Sequence, residues 1–161
     1  MSPIPRRVVT GHDERGVSVF AADGPVPVAR TAPDGATFYE IWSTDAMPAP
    51  LSSAASDPTL PDPTLRTLSV PPPPNGTKIR INEFPPGVAS PVHRTQSVDY
   101  GIVLDGEVVL VLDDAETTLR TGDGIGLVRE HHDLRPAELA HNDRPHDTTP
   151  LRTCRQVLHI T

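Results

Sequence analysis

An all-β sandwich or barrel is the fold class that this sequence predicts, on three observations. Short runs of alternating or β-branched residues recur along the chain, separated by Gly, Asp, Asn and Pro turns. No long amphipathic helical period is present. Twenty prolines among 161 residues punctuate the chain too often for long helices.

The N-terminal third opens with strands at 7–10 and 17–20, flanking the polar connection Gly11-His12-Asp13-Glu14-Arg15-Gly16. Asp23-Gly24-Pro25 marks another turn. Residues 36–42 hold three of the six aromatics in the chain, so this strand is expected to anchor the core or an interface. Residues 46–76 are Pro-rich and extended, either a loop or an arm lying on a neighbouring subunit.

Strands dominate from there. Residues 77–84 alternate Ile79 and Ile81 against Lys78 and Arg80. Runs at 100–104 and 108–112 flank Asp105-Gly106, a tight-turn signal. In the second run Val108, Leu110 and Leu112 face one way and Val109 and Val111 the other, which suits a strand covered on both faces. Residues 117–120, 125–128 and 154–160 complete the strands. One or two helical turns are expected at 134–140, with Pro136 near their start. The expected core is Phe38, Ile41, Trp42, Ile79, Ile81, Ile102, Leu104, Val108, Leu110, Leu112 and Leu158.

A single domain over 1–161 is expected, with N-terminal strands at 1–45, the Pro-rich loop at 46–76 and the barrel core at 77–161. The net charge of −7 argues against nucleic acid, whose phosphates need clustered Lys and Arg. No apolar run approaches the roughly 20 residues of a membrane span, and the N-terminus lacks an apolar signal core. Cys154 is the only cysteine, which excludes an intrachain disulfide and fits a reducing compartment. A soluble, cytoplasmic protein is expected.

The chemistry-bearing stretch is Gly87-Val-Ala-Ser-Pro-Val-His93-Arg-Thr95-Gln96-Ser-Val-Asp99-Tyr100-Gly-Ile-Val-Leu-Asp-Gly106. It resembles the first signature of the cupin superfamily, Gly-x5-His-x-His-x3,4-Glu-x6-Gly, particularly that of small single-domain bacterial cupins. The resemblance implies a double-stranded β-helix, the jelly-roll barrel. Two positions depart from the pattern: Thr95 stands where the second His is expected, and Asp99 where the Glu is expected. The second signature is more altered. Aligned without a gap, His132 falls on its histidine, while Arg129 replaces a turn glycine and Leu134 a Trp.

The resemblance implies a metal site of His93, His132 and Asp99. Two imidazoles and one carboxylate with open positions suit Fe(II), and also Mn, Ni or Zn. Gln96, Thr95 and His131 are further ligand candidates; Tyr100 and Arg80 are polar pocket candidates, Arg80 as a bidentate partner for a substrate carboxylate. His12, His141 and His146 read as solvated loop residues, and Cys154 as a small buried hydrophobe.

Two functions stay open at this stage. One is a metal-dependent enzyme of secondary metabolism: a decarboxylase, dehydratase, isomerase or oxygenase acting on a small organic molecule. The other is a metal-free ligand-binding or scaffold cupin without catalysis, which the two substitutions favour. Family members commonly exchange N-terminal strands, so a homodimer is expected.

Overall fold

A computed structural model describes residues 3–46, 64, 75–89, 93–94, 97–128, 131–136 and 154–160 of the chain, with 93–94, 128, 131–136 and 154–160 described by their backbone pairing. The described residues contain twelve strands and no α-helix. Two form a ribbon, β1 (Arg6–His12) with β2 (Ser18–Pro25). A six-stranded sheet runs β10 (Gly124–Val128), β7 (Val98–Asp105), β12 (Cys154–Ile160), β5 (Thr77–Phe84), β4 (Thr37–Thr44), β3 (Ala29–Thr31). A four-stranded sheet runs β6 (His93–Arg94), β11 (His131–Pro136), β8 (Glu107–Val111), β9 (Glu116–Arg120). All pairs are antiparallel. This is the predicted jelly-roll arrangement.

The two larger sheets close on an apolar cluster. Val103 of β7 and Leu127 of β10 meet Val108 and Leu110 of β8, with Leu112, Leu119 and Ile125 packed around them. Val108 and Val109 are both fully buried. Strand β8 lies between β11 and β9, so its two apolar faces match the prediction for a strand covered on both sides.

Glycine sets the two corners of the first motif. Gly87 and Gly106 adopt φ of 78° and 80°, left-handed values that a side chain resists. Gly106 does not close a hairpin. Strand β7 pairs with β10 and β12, whereas β8 pairs with β9 and β11. The chain uses this glycine to pass from one sheet to the other.

The polar connection between β1 and β2 is held by Asp13. Its Oδ1 accepts from the backbone N–H groups of Arg15 and Val17, at 2.9 Å each. Both bonds favour the charged carboxylate, and the bond from Val17 is the main cause that lowers the Asp13 pKa. Further along the ribbon Arg6 grips Asp23 with two bonds of 2.6 and 2.7 Å. Buried Arg7 ties the ribbon to the large sheet. It donates to the carbonyl of Ile41 and to Thr64 Oγ1. Ile41 is the residue that the β4–β5 register skips at a bulge, so its carbonyl is offered to β1.

Four expectations are corrected. On β5 the buried residues are Lys78, Arg80, Asn82 and Phe84, while Ile79 and Ile81 are half-buried on the opposite face. On β7, Ile102 and Leu104 are exposed, and Val103 is the core residue. Alternation identifies two faces but not which one points inward, so both strands were assigned with the apolar face inside. The helical turns expected at 134–140 are also replaced as far as 136 by β11, whose residues Asp133–Pro136 pair with β8. Pro136 ends that strand, where its missing N–H costs least. Phe38, Ile41 and Trp42 are half-buried rather than central. The Pro-rich segment, apart from Ala46, Thr64 and its last two residues, lies outside the described residues.

Core truncation separates the two faces. Leu127→Ala is expected to cost about 2–5 kcal/mol, whereas Leu104→Ala is expected to cost less than about 1 kcal/mol. Urea unfolding of both variants checks this, and equal losses would contradict the assigned orientation of β7.

Candidate functional site

Antiparallel registers converge on the chemistry-bearing residues. In the β11–β6 pair His132 is the direct partner of His93, and His131 that of Arg94. Residues opposed in this way are cross-strand neighbours in the backbone pairing. The two histidines come from distant parts of the sequence, and the pairing brings them side by side. Three residues, 95–97, then connect β6 to β7, and two, 129–130, connect β10 to β11. Val128 and Val98 are themselves partners. The β6-to-β7 and β10-to-β11 crossings between the large sheets therefore occur at the same end of the barrel.

Asp99 lies at that end. It is 2% exposed, and the Ser97 hydroxyl donates to its Oδ1 at 2.8 Å. It belongs to the six-stranded sheet, opposite Leu127 and Ile160, whereas the two histidines belong to the four-stranded sheet. Thr95 and Gln96 lie outside the described residues. Tyr100 follows Asp99 onto the opposite face and is 53% exposed. Among the described residues no three His, Cys, Asp or Glu side chains form a metal cluster. His12 is exposed at the end of β1. His141 and His146 lie outside the described residues.

The inner face of β5 is more polar than the sequence predicts. Arg80 is 8% exposed, with its guanidinium carbon 5.2 Å from the centre of the Phe38 ring. Phe38 meets Phe84 edge to face, with centroids 6.5 Å apart, so an aromatic wall holds the guanidinium in place. Glu40 is the register partner of Arg80 across β4–β5 and is buried. Lys78, the only lysine in the chain, is buried one alternation further towards Asp99; Ile160 is the register partner of both. Burial pushes the Lys78 and Arg80 pKa values down, opposed in both cases by Glu40 and for Arg80 also by Asp99. The inner face therefore runs from charged at the crossing end, Lys78 and Asp99, to apolar at Phe84 and Val103. The signal was present in the strict period-two placement of Lys78, Arg80 and Asn82.

Comparison with known proteins agrees with this architecture. A family profile described as Cupin domain matches residues 80–133, from β5 into β11. The chain is similar to phomopsin biosynthesis cluster protein C' of Diaporthe leptostromiformis, 38% identical over 124 residues, which is 74% of this chain and 64% of that protein. It is also similar to the cupin-domain-containing oxidoreductase fogC of Aspergillus ruber, 36% identical over 119 residues, 73% of this chain and 57% of the relative. The chain thus spans less than two thirds of the length of these relatives. A solved structure of a putative ethanolamine utilization protein Q from Salmonella typhimurium overlays with a TM-score of 0.50 at 8% identity, covering 99% of this chain and 97% of that one. That likeness concerns the fold alone. No helix among the described residues is long and apolar enough to cross a membrane.

Burial of Lys78 has a pH signature. Its folded pKa lies below the unfolded value of 10.5, so the unfolded state binds more protons in that window. The cost of burying the ammonium is fully present below the folded pKa and disappears as pH rises to 10.5. Urea midpoints of wild type and Lys78→Met, compared from neutral pH to pH 10.5, are expected to show wild type gaining on the variant as pH rises. A constant difference would contradict a buried ammonium.

Proposed function

Because the chain belongs to the cupin superfamily, we propose that its barrel binds and transforms a small organic molecule of secondary metabolism, with metal help, at the end carrying His93, His132 and Asp99. The observation behind this reading is the direct pairing of His132 with His93. Relatives named for biosynthesis clusters and for oxidoreductase activity support the setting.

The donor set fits a divalent metal. His93 and His132, partners in the β6–β11 register, would supply nitrogen, and the buried Asp99 at the same end would supply a carboxylate oxygen. His93 and His132 would hold Fe(II), Mn, Ni or Zn, with Asp99 as the carboxylate. When bound, such an ion supplies Lewis acidity that polarises a substrate oxygen. The chain's own residues do the rest. The Ser97 hydroxyl fixes the Asp99 carboxylate. Arg80, Lys78 and Glu40 present charge from the inner wall of the six-stranded sheet, and the apolar cluster of Val103, Val108, Leu110 and Leu127 packs between the sheets beside them.

A second reading is a metal-free binding module, and Thr95 in place of a histidine supports it. In either case we propose a homodimer. Val17, Val19 and Phe20 are exposed near the β1–β2 turn, Phe20 at 73%, and such a patch on an edge ribbon suits a second copy.

Elemental mass spectrometry on untagged protein, with His93→Ala and His132→Ala alongside, tests the metal reading. Near-stoichiometric metal in wild type and its loss from both variants is expected. Wild type that stays metal-free after reconstitution would leave the binding module as the function.

A further inference from the structure

The outer face of the six-stranded sheet has a low, bare half. On β7, Ile102 and Leu104 are 51% and 43% exposed, in line with exposed Tyr100. Beside them on β10, Gly124 is the register partner of Ile102 and Gly126 that of Tyr100, and both glycines are exposed. Neither has a positive φ. A Cβ added at Gly126 would meet nothing within 4 Å among the described residues, and at Gly124 only the Gly101 carbonyl at an ordinary 3.7 Å. Neither backbone conformation nor packing within the described chain calls for glycine there. Glycine weakens a strand interior and often marks a place where another surface approaches closely. The edge also lacks the usual protection. Strand β10 is the outermost strand on its side among the described residues, pairs without a bulge and reads Gly-Ile-Gly-Leu-Val, with no charge and no proline.

A second exposed apolar surface lies towards the other edge of this sheet. The β1–β2 ribbon is tied to β4 through Arg7 and the Ile41 carbonyl. Strand β4 is second from the β3 edge, as β7 is second from the β10 edge. Val17, Val19 and Phe20 of the ribbon are exposed, and Ser18 to Ala21 are exposed in succession, so neither face is covered there. A two-stranded ribbon is marginal without a surface to pack on. Between the two surfaces, half-buried Ile79 and Ile81 continue the apolar outer face.

We infer that these two surfaces meet between two copies of the chain. A two-fold axis along the strands, through the middle of the sheet, lays the outer faces together and sets β4 of one copy over β7 of the other. Each ribbon then covers the bare half of the opposite sheet, where Gly124 and Gly126 leave room for its side chains. One chain carries both surfaces at positions that the axis exchanges, so the contact closes at two copies; a different partner on either surface would leave the other exposed. Six strands about 4.8 Å apart and about 26 Å long give a face of up to roughly 750 Å². A stable pair buries about 800 Å² per copy. The inference rests on the homodimer reading of the ribbon and names the surface that the ribbon meets.

Sedimentation equilibrium on wild type, Phe20→Glu, Ile102→Glu and Gly126→Leu tests this, with Thr117→Glu, exposed on β9 of the other sheet, as control. Wild type and control are expected to be dimers. The other three are expected to raise the dissociation constant at least about thirtyfold, the effect of losing a central apolar contact. Gly126→Leu separates association from folding, because the single chain has space for the side chain. In dilute, monomeric protein its urea midpoint is expected to be no lower than that of wild type. If Phe20→Glu alone dissociates the dimer, the homodimer stands and the β7–β10 surface is not its counterpart. If Ile102→Glu and Gly126→Leu dissociate it and Phe20→Glu does not, the ribbon is not the occupant. A dimer that survives all three overturns the interface, and a wild type that stays monomeric overturns the homodimer with it.

Discussion

Charge buried on the inner face of β5 is the constraint around which the rest of the barrel is arranged. This strand lies in the interior of the six-stranded sheet, between β12 and β4, where an apolar inner row is the ordinary solution. Instead Lys78, Arg80 and Asn82 point inward. Taking an ion out of water costs several kcal/mol unless partners are present. Glu40 and Asp99 provide part of that compensation, and Phe38 provides a ring for the guanidinium. The apolar core is correspondingly small and displaced, centred on Val103, Val108, Leu110 and Leu127. The apolar residues left over, Ile102, Leu104 and the partly covered Ile79 and Ile81, occupy the outer face.

The same arrangement links fold to function. The β6-to-β7 and β10-to-β11 crossings between the large sheets fall at the Val98–Val128 end, and that end receives His93, His132, Asp99 and Lys78. A site built from strand ends on two sheets needs no helix and no long lid to position it. Its rigidity comes from registers that a one-residue slip would destroy. The cost is a barrel whose stability depends on few large apolar side chains, in keeping with a chain of six aromatics.

How much of this was legible in the sequence depended on whether the signal had one interpretation. Gly87 and Gly106 were readable because only a glycine comfortably takes their positive φ. Strand β8 was readable because Val108 to Val111 are apolar on both faces, leaving no face to choose. Residues 77–84 offered two equivalent faces, and the usual preference for isoleucine inside selected the wrong one. Ile102 and Leu104 failed for the same reason, since the true inner row is Asp99, Gly101 and Val103. The motif located His93 and His132, but their opposition is a product of β6–β11 pairing and has no local sequence signature. The wall formed by Glu40 and Arg80 combines two strands, so no single segment announced it.

Lys78 offers the most direct test of the inverted strand, because it is the only lysine in the chain. A bulky amine-directed acylating reagent can therefore modify only Lys78 and the N-terminal amine, and peptide mass spectrometry separates the two. With Lys78 inside the barrel, its acylation in native protein is expected to lag far behind that of the N-terminus and to become fast only in denaturant. Rapid modification of Lys78 in the folded state would place it on the outer face. It would then put Ile79 and Ile81 in the core and remove the charged inner wall on which the account rests.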